Sequence, residues 1–152
     1  MEFHYTVTSH KSIEAVIEAL DAQLKAEHFG ILWQLDLTQK LRDKGIEDYT
    51  RPFHILEVCN PHEAAKVLSH NELVGYFLPC KIVVYVDQSH VRIGLPRPTA
   101  LLGILNSSEL NETAEEIEQT LIRVIEKAKW SKTLKIILDG RLFTSISQIW
   151  SL

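Results

Sequence analysis

Leu78-Pro79-Cys80-Lys81-Ile82-Val83-Val84-Tyr85-Val86, then Asp87-Gln88-Ser89-His90, then Val91-Arg92-Ile93-Gly94-Leu95, decides the fold. The Val-rich run is the strongest strand signal in the chain, because β-branched and aromatic side chains fit a pleated, half-buried surface. The polar stretch after it is a turn, so the second run pairs back as an antiparallel hairpin. Pro96 and Pro98 end that strand.

Upstream, Phe53 to Cys59 reads as another strand, and Asn60-Pro61-His62-Glu63 opens a short helix reaching Ser69. Before it, Ile31 to Leu37 alternates. Ile31, Trp33, Leu35 and Leu37 fall on one side, and Leu32, Gln34 and Asp36 on the other, as in a sheet with one covered face. A short helix from Thr38 to Lys44 follows, stopped by Gly45. Phe3 to Thr8 is the first strand. Ser12 then caps a long helix whose apolar face is Ile13, Val16, Ile17, Leu20 and Leu24, ending at Phe29-Gly30.

Downstream, a second long helix is expected from Glu112 to Lys129, with Asn111 as N-cap and Ala114, Ile117, Leu121, Val124, Ile125 and Ala128 inward. Glu112, Glu115, Glu116 and Glu118 come early, and Arg123, Lys127 and Lys129 late, so both ends complement the helix dipole. Consecutive strands without crossover helices pair antiparallel. The expected fold is therefore α+β: an antiparallel sheet in the order β-α-β-β-β-β-α, with two long helices on one face and short helices inserted between strands. A doubly wound α/β fold needs helices between most strands.

Residues 1–129 are expected to form a single α+β domain, and 130–152 a C-terminal extension. Within the extension, Lys135-Ile136-Ile137-Leu138, Asp139-Gly140 and Arg141-Leu142-Phe143-Thr144 form a short-range hairpin pattern. Lys129, Lys132, Lys135 and Arg141 against Asp139 make this stretch locally basic, and Ser145 to Leu152 reads equally well as a ragged terminus.

The length of 152 residues suits one domain, and 45% apolar residues suffice for a core, so the two cysteines are not needed as staples. A net charge of −4 argues against nucleic acid as a partner. Trp33, Trp130 and Trp150 are not interleaved with a basic stripe, as a single-strand platform requires. No apolar run approaches the ~20 residues of a membrane span. Met1-Glu2-Phe3-His4 is no secretory start, so the expectation is a soluble, cytoplasmic domain without membrane partners. The isolated glycines make no phosphate loop or dinucleotide fingerprint. Neither a Gly-x-Ser-x-Gly elbow nor a His-Glu-x-x-His motif occurs. No cofactor is implied, and no reaction is named.

Glu57-Val58-Cys59-Asn60-Pro61, Ala64-Ala65, Leu68, and Leu78-Pro79-Cys80 entering a Val-rich strand resemble the domain of unknown function 302 family. Phe29-Gly30-Ile31-Leu32, Asp36 and Leu41 resemble its N-terminal half. The resemblance runs from Met1 to Lys129 and implies a β-α-β-β-β-β-α fold. Members lack an assigned biochemical activity. His28 departs from the glycine often found before Phe-Gly, which bears on the local helix end.

Physically, Cys59-Asn60-Pro61 can be a strand-to-helix turn. Asn60 caps, Pro61 suits the first helical position, Glu63 is at N3, and Cys59 is a small buried apolar residue. The same geometry sets Cys59 before a helix N-terminus, which favours a thiolate. If Phe53–Cys59 and Lys81–Val86 are antiparallel neighbours, Cys59 and Cys80 approach at one sheet edge. That gives a dithiol site if the Cα atoms lie within ~7 Å. A metal variant adds His62 to Cys59 and Cys80, with His54 or Glu57 as further candidates, and is short of the four ligands of a structural zinc. The expectation is no metal. Glu57 shares a strand side with Ile55 and Cys59, and its burial decides its role. Asp36 reads as a solvated strand carboxylate, and His4, His10, His28, His70 and His90 as surface residues.

The leading expectation is thus a domain that binds a small-molecule ligand or protein partner near Cys59 and Cys80, with Glu57 and Asn60 as further candidate site residues. The alternative is a dithiol redox protein or sensor, with Cys59 as nucleophile and Cys80 as resolving thiol. A homodimer is expected, because an open sheet has edges to protect and the tail hairpin can pair across a two-fold.

Overall fold

The structure is a computed structural model and describes residues 2–130 together with the strand segments 136–138 and 141–143. Strands β4 (Cys80–Asp87) and β5 (His90–Pro96) are joined by Gln88 and Ser89, at φ 46° and 71°. Positive φ at both central residues is what a type I′ hairpin turn requires, because its twist matches that of the strands. Around this hairpin, β3 (Phe53–Cys59) adds to β4, β2 (Gly30–Asp36) adds to β3, and β1 (His4–Ser9) adds to β5. The sheet order is β1-β5-β4-β3-β2, with every neighbouring pair antiparallel. The fold is α+β, as the uninterrupted strand run dictates.

Because alternate residues face opposite sides of a strand, the registers assign the faces. Leu56 and Val58 of β3, Ile82 and Val84 of β4, and Ile93 and Leu95 of β5 share one face and are buried. The long helices α1 (Ile13–Ala26) and α5 (Ser108–Trp130) both cover that face, through Val16, Leu20 and Leu24 and through Leu121, Val124 and Ile125. Each fully buried Leu, Ile or Val side chain contributes about 1.5–3 kcal/mol. Ser12 caps α1 by accepting from the Ala15 amide at 3.2 Å.

The end of α1 differs from expectation. It lies at Glu27-His28, and Gly30 is already the first residue of β2. The Phe29 amide donates to the Leu24 carbonyl at 2.9 Å and the His28 amide to Lys25 at 3.1 Å, with His28 at φ 63°. This is a Schellman cap carrying histidine where glycine is favoured, sealed by buried Leu24 and Phe29. The short helix α2 (Leu37–Asp43) ends in the same motif, with Gly45 at φ 81° and the Ile46 amide donating to Leu41.

Strand β2 also corrects the side assignment. Ile31 pairs with Val58 and Trp33 with Glu57, so Leu32 is an extra, bulged residue. The bulge sends Ile31 to the helix-covered face and leaves Trp33 and Leu35 on the opposite one. Leu37 starts α2 rather than ending the strand, and Asp36 caps that helix, accepting from Gln39 at 2.9 Å.

Helix α3 (Pro61–His70) opens on Asn60, whose Oδ1 accepts from the amides of His62 and Glu63. A 3-10 turn (Glu72–Phe77) links it to the cis Leu78–Pro79 bond that leads into β4. After β5, the chain forms a short helix, α4 (Pro98–Leu102), where Pro96 and Pro98 predict only a strand end. Proline breaks a strand and equally suits the first turn of a helix. Helix α5 begins about one turn before the expected Asn111 cap. The Ser107 hydroxyl meets the Leu110 amide, and Leu110 extends the buried face.

Ile136–Leu138 (β6) and Arg141–Phe143 (β7) pair antiparallel, Leu138 opposite Arg141. The Asp139-Gly140 turn, Thr144 and the stretch from Ser145 to Leu152 lie outside the described residues.

Candidate functional site

Beside the main core lies a smaller one. Val67 of α3, Val74 of the 3-10 turn, Leu102 of α4, and Leu110 and Ala114 of α5 pack together, joined by Phe77, Leu78 and Leu105. None of these residues belongs to a strand. Glu118 anchors this annex to the rest. Its carboxylate accepts from Arg97 Nη1 at 2.8 Å and from the amide and hydroxyl of Thr99 at 3.0 and 2.5 Å. Burial pushes this carboxyl up, but the hydrogen bonds from Thr99 and Arg97 outweigh it and hold it below the ordinary value. Glu118 thereby caps the first turn of α4, where no side chain of α4 does so. At four residues past Ala114 and three before Leu121, it lies on the inward face. An acid on an otherwise apolar face was the available signal for this role.

Where the annex meets the sheet, a cavity of about 210 Å³ opens. Val74, Phe77, Pro98 and Leu101 give it apolar walls, Cys80 lies at its sheet side, and Lys81 is the single charged residue among those lining it. The Leu-Pro-Cys segment thus forms one wall of a concave site. Sequence reasoning missed the other walls, because short helices and a 3-10 turn supply them without a readable period.

A second, smaller cavity of about 20 Å³ lies next to it. Cys59, Asn60 and Cys80 all line it, together with Phe29, Glu63 and Leu78. The structure therefore brings three of the four expected site residues together. Glu57 is not among them. It is half-buried on the sheet face away from the helices, opposite Trp33 and Lys81. Glu63 joins the group instead, and its Oε2 is buried without a hydrogen-bond partner among the described residues.

Both cysteines are free thiols. Val58 is the register partner of Cys80, so Cys80 lies on the helix-covered face and packs against the main core. Burial, with a smaller contribution from Cys59, pushes the Cys80 thiol up to about 11. Burial likewise pushes Cys59 above its ordinary value. Of the two readings of Cys59, this runs against the thiolate before a helix N-terminus. The helix N-terminus does not offset this burial, because Asn60 already takes the His62 and Glu63 amides. His62 is exposed and lines neither cavity. Among the described residues, no three His, Cys, Asp or Glu side chains are grouped to hold a metal.

The family model described as domain of unknown function DUF302 matches residues 5–128. The chain belongs to the DUF302 family. A crystal structure of an uncharacterized conserved DUF302 protein from Bacillus stearothermophilus is 48% identical to it. The two superpose with a TM-score of 0.82 over 84% of this chain and 99% of that one. No curated protein matches. Both cysteine motifs lie inside the DUF302 match and meet at the smaller cavity, whereas the Leu-Pro-Cys motif alone also lines the larger one. No helix among the described residues is long and apolar enough to cross a membrane.

Proposed function

We propose that this DUF302 domain binds a small ligand with an apolar body in the cavity beside Cys80. The cavity itself carries the reading: about 210 Å³, concave, walled by apolar side chains, with few polar groups among its lining. Ligand sites have this character, and a volume below the roughly 300–1,000 Å³ of drug-sized pockets points to a correspondingly small ligand. The test uses Cys80 as reporter in a Cys59→Ala background. Saturating 1-octanol is expected to slow alkylation of Cys80 by iodoacetamide several-fold at alkaline pH. An unchanged rate overturns the reading.

A dithiol redox site is the second reading, and the convergence of Cys59 and Cys80 on one small cavity favours it. The raised thiol pKa values weigh against it, since the thiolate is the reactive species. Loss of both thiols on mild oxidation, without intermolecular crosslinks, decides for it.

We further infer a homodimer, a cytoplasmic location, and a domain ending near residue 129 with 130–152 as an extension. Free cysteines suit a reducing compartment. The sheet face away from the helices carries Trp33, Leu35, Phe53, Ile55, Val83 and Tyr85, with Glu57 and Lys81 side by side. Apolar residues next to paired opposite charges are complementary to a second copy of the same face. Sedimentation of the full chain is expected to give a dimer, and of Trp33→Glu a monomer. A monomeric wild type refutes the dimer.

A further inference from the structure

We propose that the free edge of β1 takes up the β6–β7 hairpin of a second copy of this chain, so that each five-stranded sheet of the dimer is extended by its partner. The proposal rests on the homodimer reading and adds the contact that the C-terminal extension makes. β1 ends the sheet and pairs with β5 alone. The Arg97 amide donates to the Phe3 carbonyl at 2.7 Å, which marks that pair as a hydrogen-bonded one. Bonded and non-bonded pairs alternate along an antiparallel ladder. Tyr5, Val7 and Ser9 therefore bond to Leu95, Ile93 and Val91, while His4, Thr6 and Thr8 turn their amides and carbonyls outward. Among the described residues, no other strand takes up those outward groups.

An open strand edge is a template for another strand, and proteins blunt it with bulges, prolines or lysines. The other edge strand, β2, carries the Leu32 bulge. β1 has no bulge, proline or lysine over its six residues and keeps an unbroken register with β5. The hairpin has the matching need. β6 and β7 are three residues each and, among the described residues, pair only with each other. A lone two-stranded hairpin is marginal in water. The Ser9 hydroxyl donates to the Lys129 carbonyl at 3.3 Å, so the extension leaves the domain at the end of β1. Within one chain the hairpin and the larger sheet are separate, so a second copy supplies the added strands. Reciprocal exchange of the two hairpins closes on itself across a two-fold axis.

Amide hydrogen exchange of the full chain, followed residue by residue by NMR, tests this. The Thr6 and Thr8 amides are expected to exchange about tenfold or more slowly in the dimer than after dilution to the monomer, while Tyr5 and Val7 stay protected in both. A chain ending at Trp130 keeps the whole family match. It is expected to lose the Thr6 and Thr8 protection and to raise the dimer dissociation constant about tenfold, the scale of a few backbone hydrogen bonds. Ile137→Pro in the full chain serves if the shortened chain fails to fold. Protection that survives dilution assigns the edge to the chain's own hairpin, and protection that survives removal of 131–152 assigns it to a second β1. Either result overturns the proposal. Fast exchange at Thr6 and Thr8 in a chain that dimerises overturns it and leaves the dimer standing. A full chain that sediments as a monomer overturns the homodimer reading and this proposal with it.

Discussion

Leu121 and Leu110 lie about three turns apart on one face of α5, equally buried, in two different cores. Around Leu121, the neighbours come from long helices and in-register strands, each element placing several residues in the same layer. Around Leu110, they come from short helices and a 3-10 turn, each supplying one or two residues. The larger cavity lies against the second group. Regular elements fill space by repetition, whereas short ones meet at irregular angles and leave hollows. The main core holds the fold, and the annex holds the concave surface.

The largest expected effect tests that contrast directly. Leu121→Ala is expected to cost about 3–5 kcal/mol in urea unfolding, because its packed surroundings cannot collapse onto the space left. Leu110→Ala is expected to cost less, about 2–3 kcal/mol, because the annex can settle inward. An equal or larger loss for Leu110→Ala breaks the distinction between the two cores.

Next in size is the tie between them. Glu118→Gln is expected to cost about 2 kcal/mol at neutral pH, since it removes the charge facing Arg97 and weakens the cap on Thr99. The pH dependence has a definite sign. Folding holds this carboxyl below its ordinary value near 4.5, so its contribution is fully present above about 4.5 and is lost as pH falls through the folded value. Wild-type stability is therefore expected to fall more steeply than that of Glu118→Gln in acid. Parallel curves in the two proteins would sink the role given to this carboxylate.

The two cores also differ in how far the sequence discloses them. Strand β3 is legible to the residue, Phe53 to Cys59, because its run of β-formers ends at an Asn-Pro helix start. The inner faces of α1 and α5 are legible because their spacing repeats over several turns. The annex has no such repetition: α4 is five residues long, and its opening proline reads as a strand end. The bulge at Leu32 is equally silent locally, since the pairing with β3 creates it, and one inserted residue turned the expected side of Trp33 and Leu35 around. At the site, the motifs located Cys59, Asn60 and Cys80. Glu63 drew no such notice, since it reads as a helix-start acid at N3 behind Asn60 and Pro61. Glu57 was placed by alternation on the side of Cys59, but at the strand end Cys59 borders the cavity while Glu57 stays on the open face.

The smallest expected effect separates stability from the site. His28 and Gly45 occupy the same position in two Schellman caps, at φ 63° and 81°. A non-glycine residue there costs roughly 1–2 kcal/mol in the left-handed region. Glycine relieves this but adds about 0.4–1 kcal/mol of unfolded-chain entropy. His28→Gly is therefore expected to stabilise by about 0.5–1 kcal/mol in urea unfolding. The cap closes α1 against the main core through Leu24 and Phe29, and His28 does not line the larger cavity. Octanol affinity is thus expected to stay unchanged while stability rises. A gain in stability that also alters octanol affinity would mean that the main core and the annex are coupled more tightly than their packing implies.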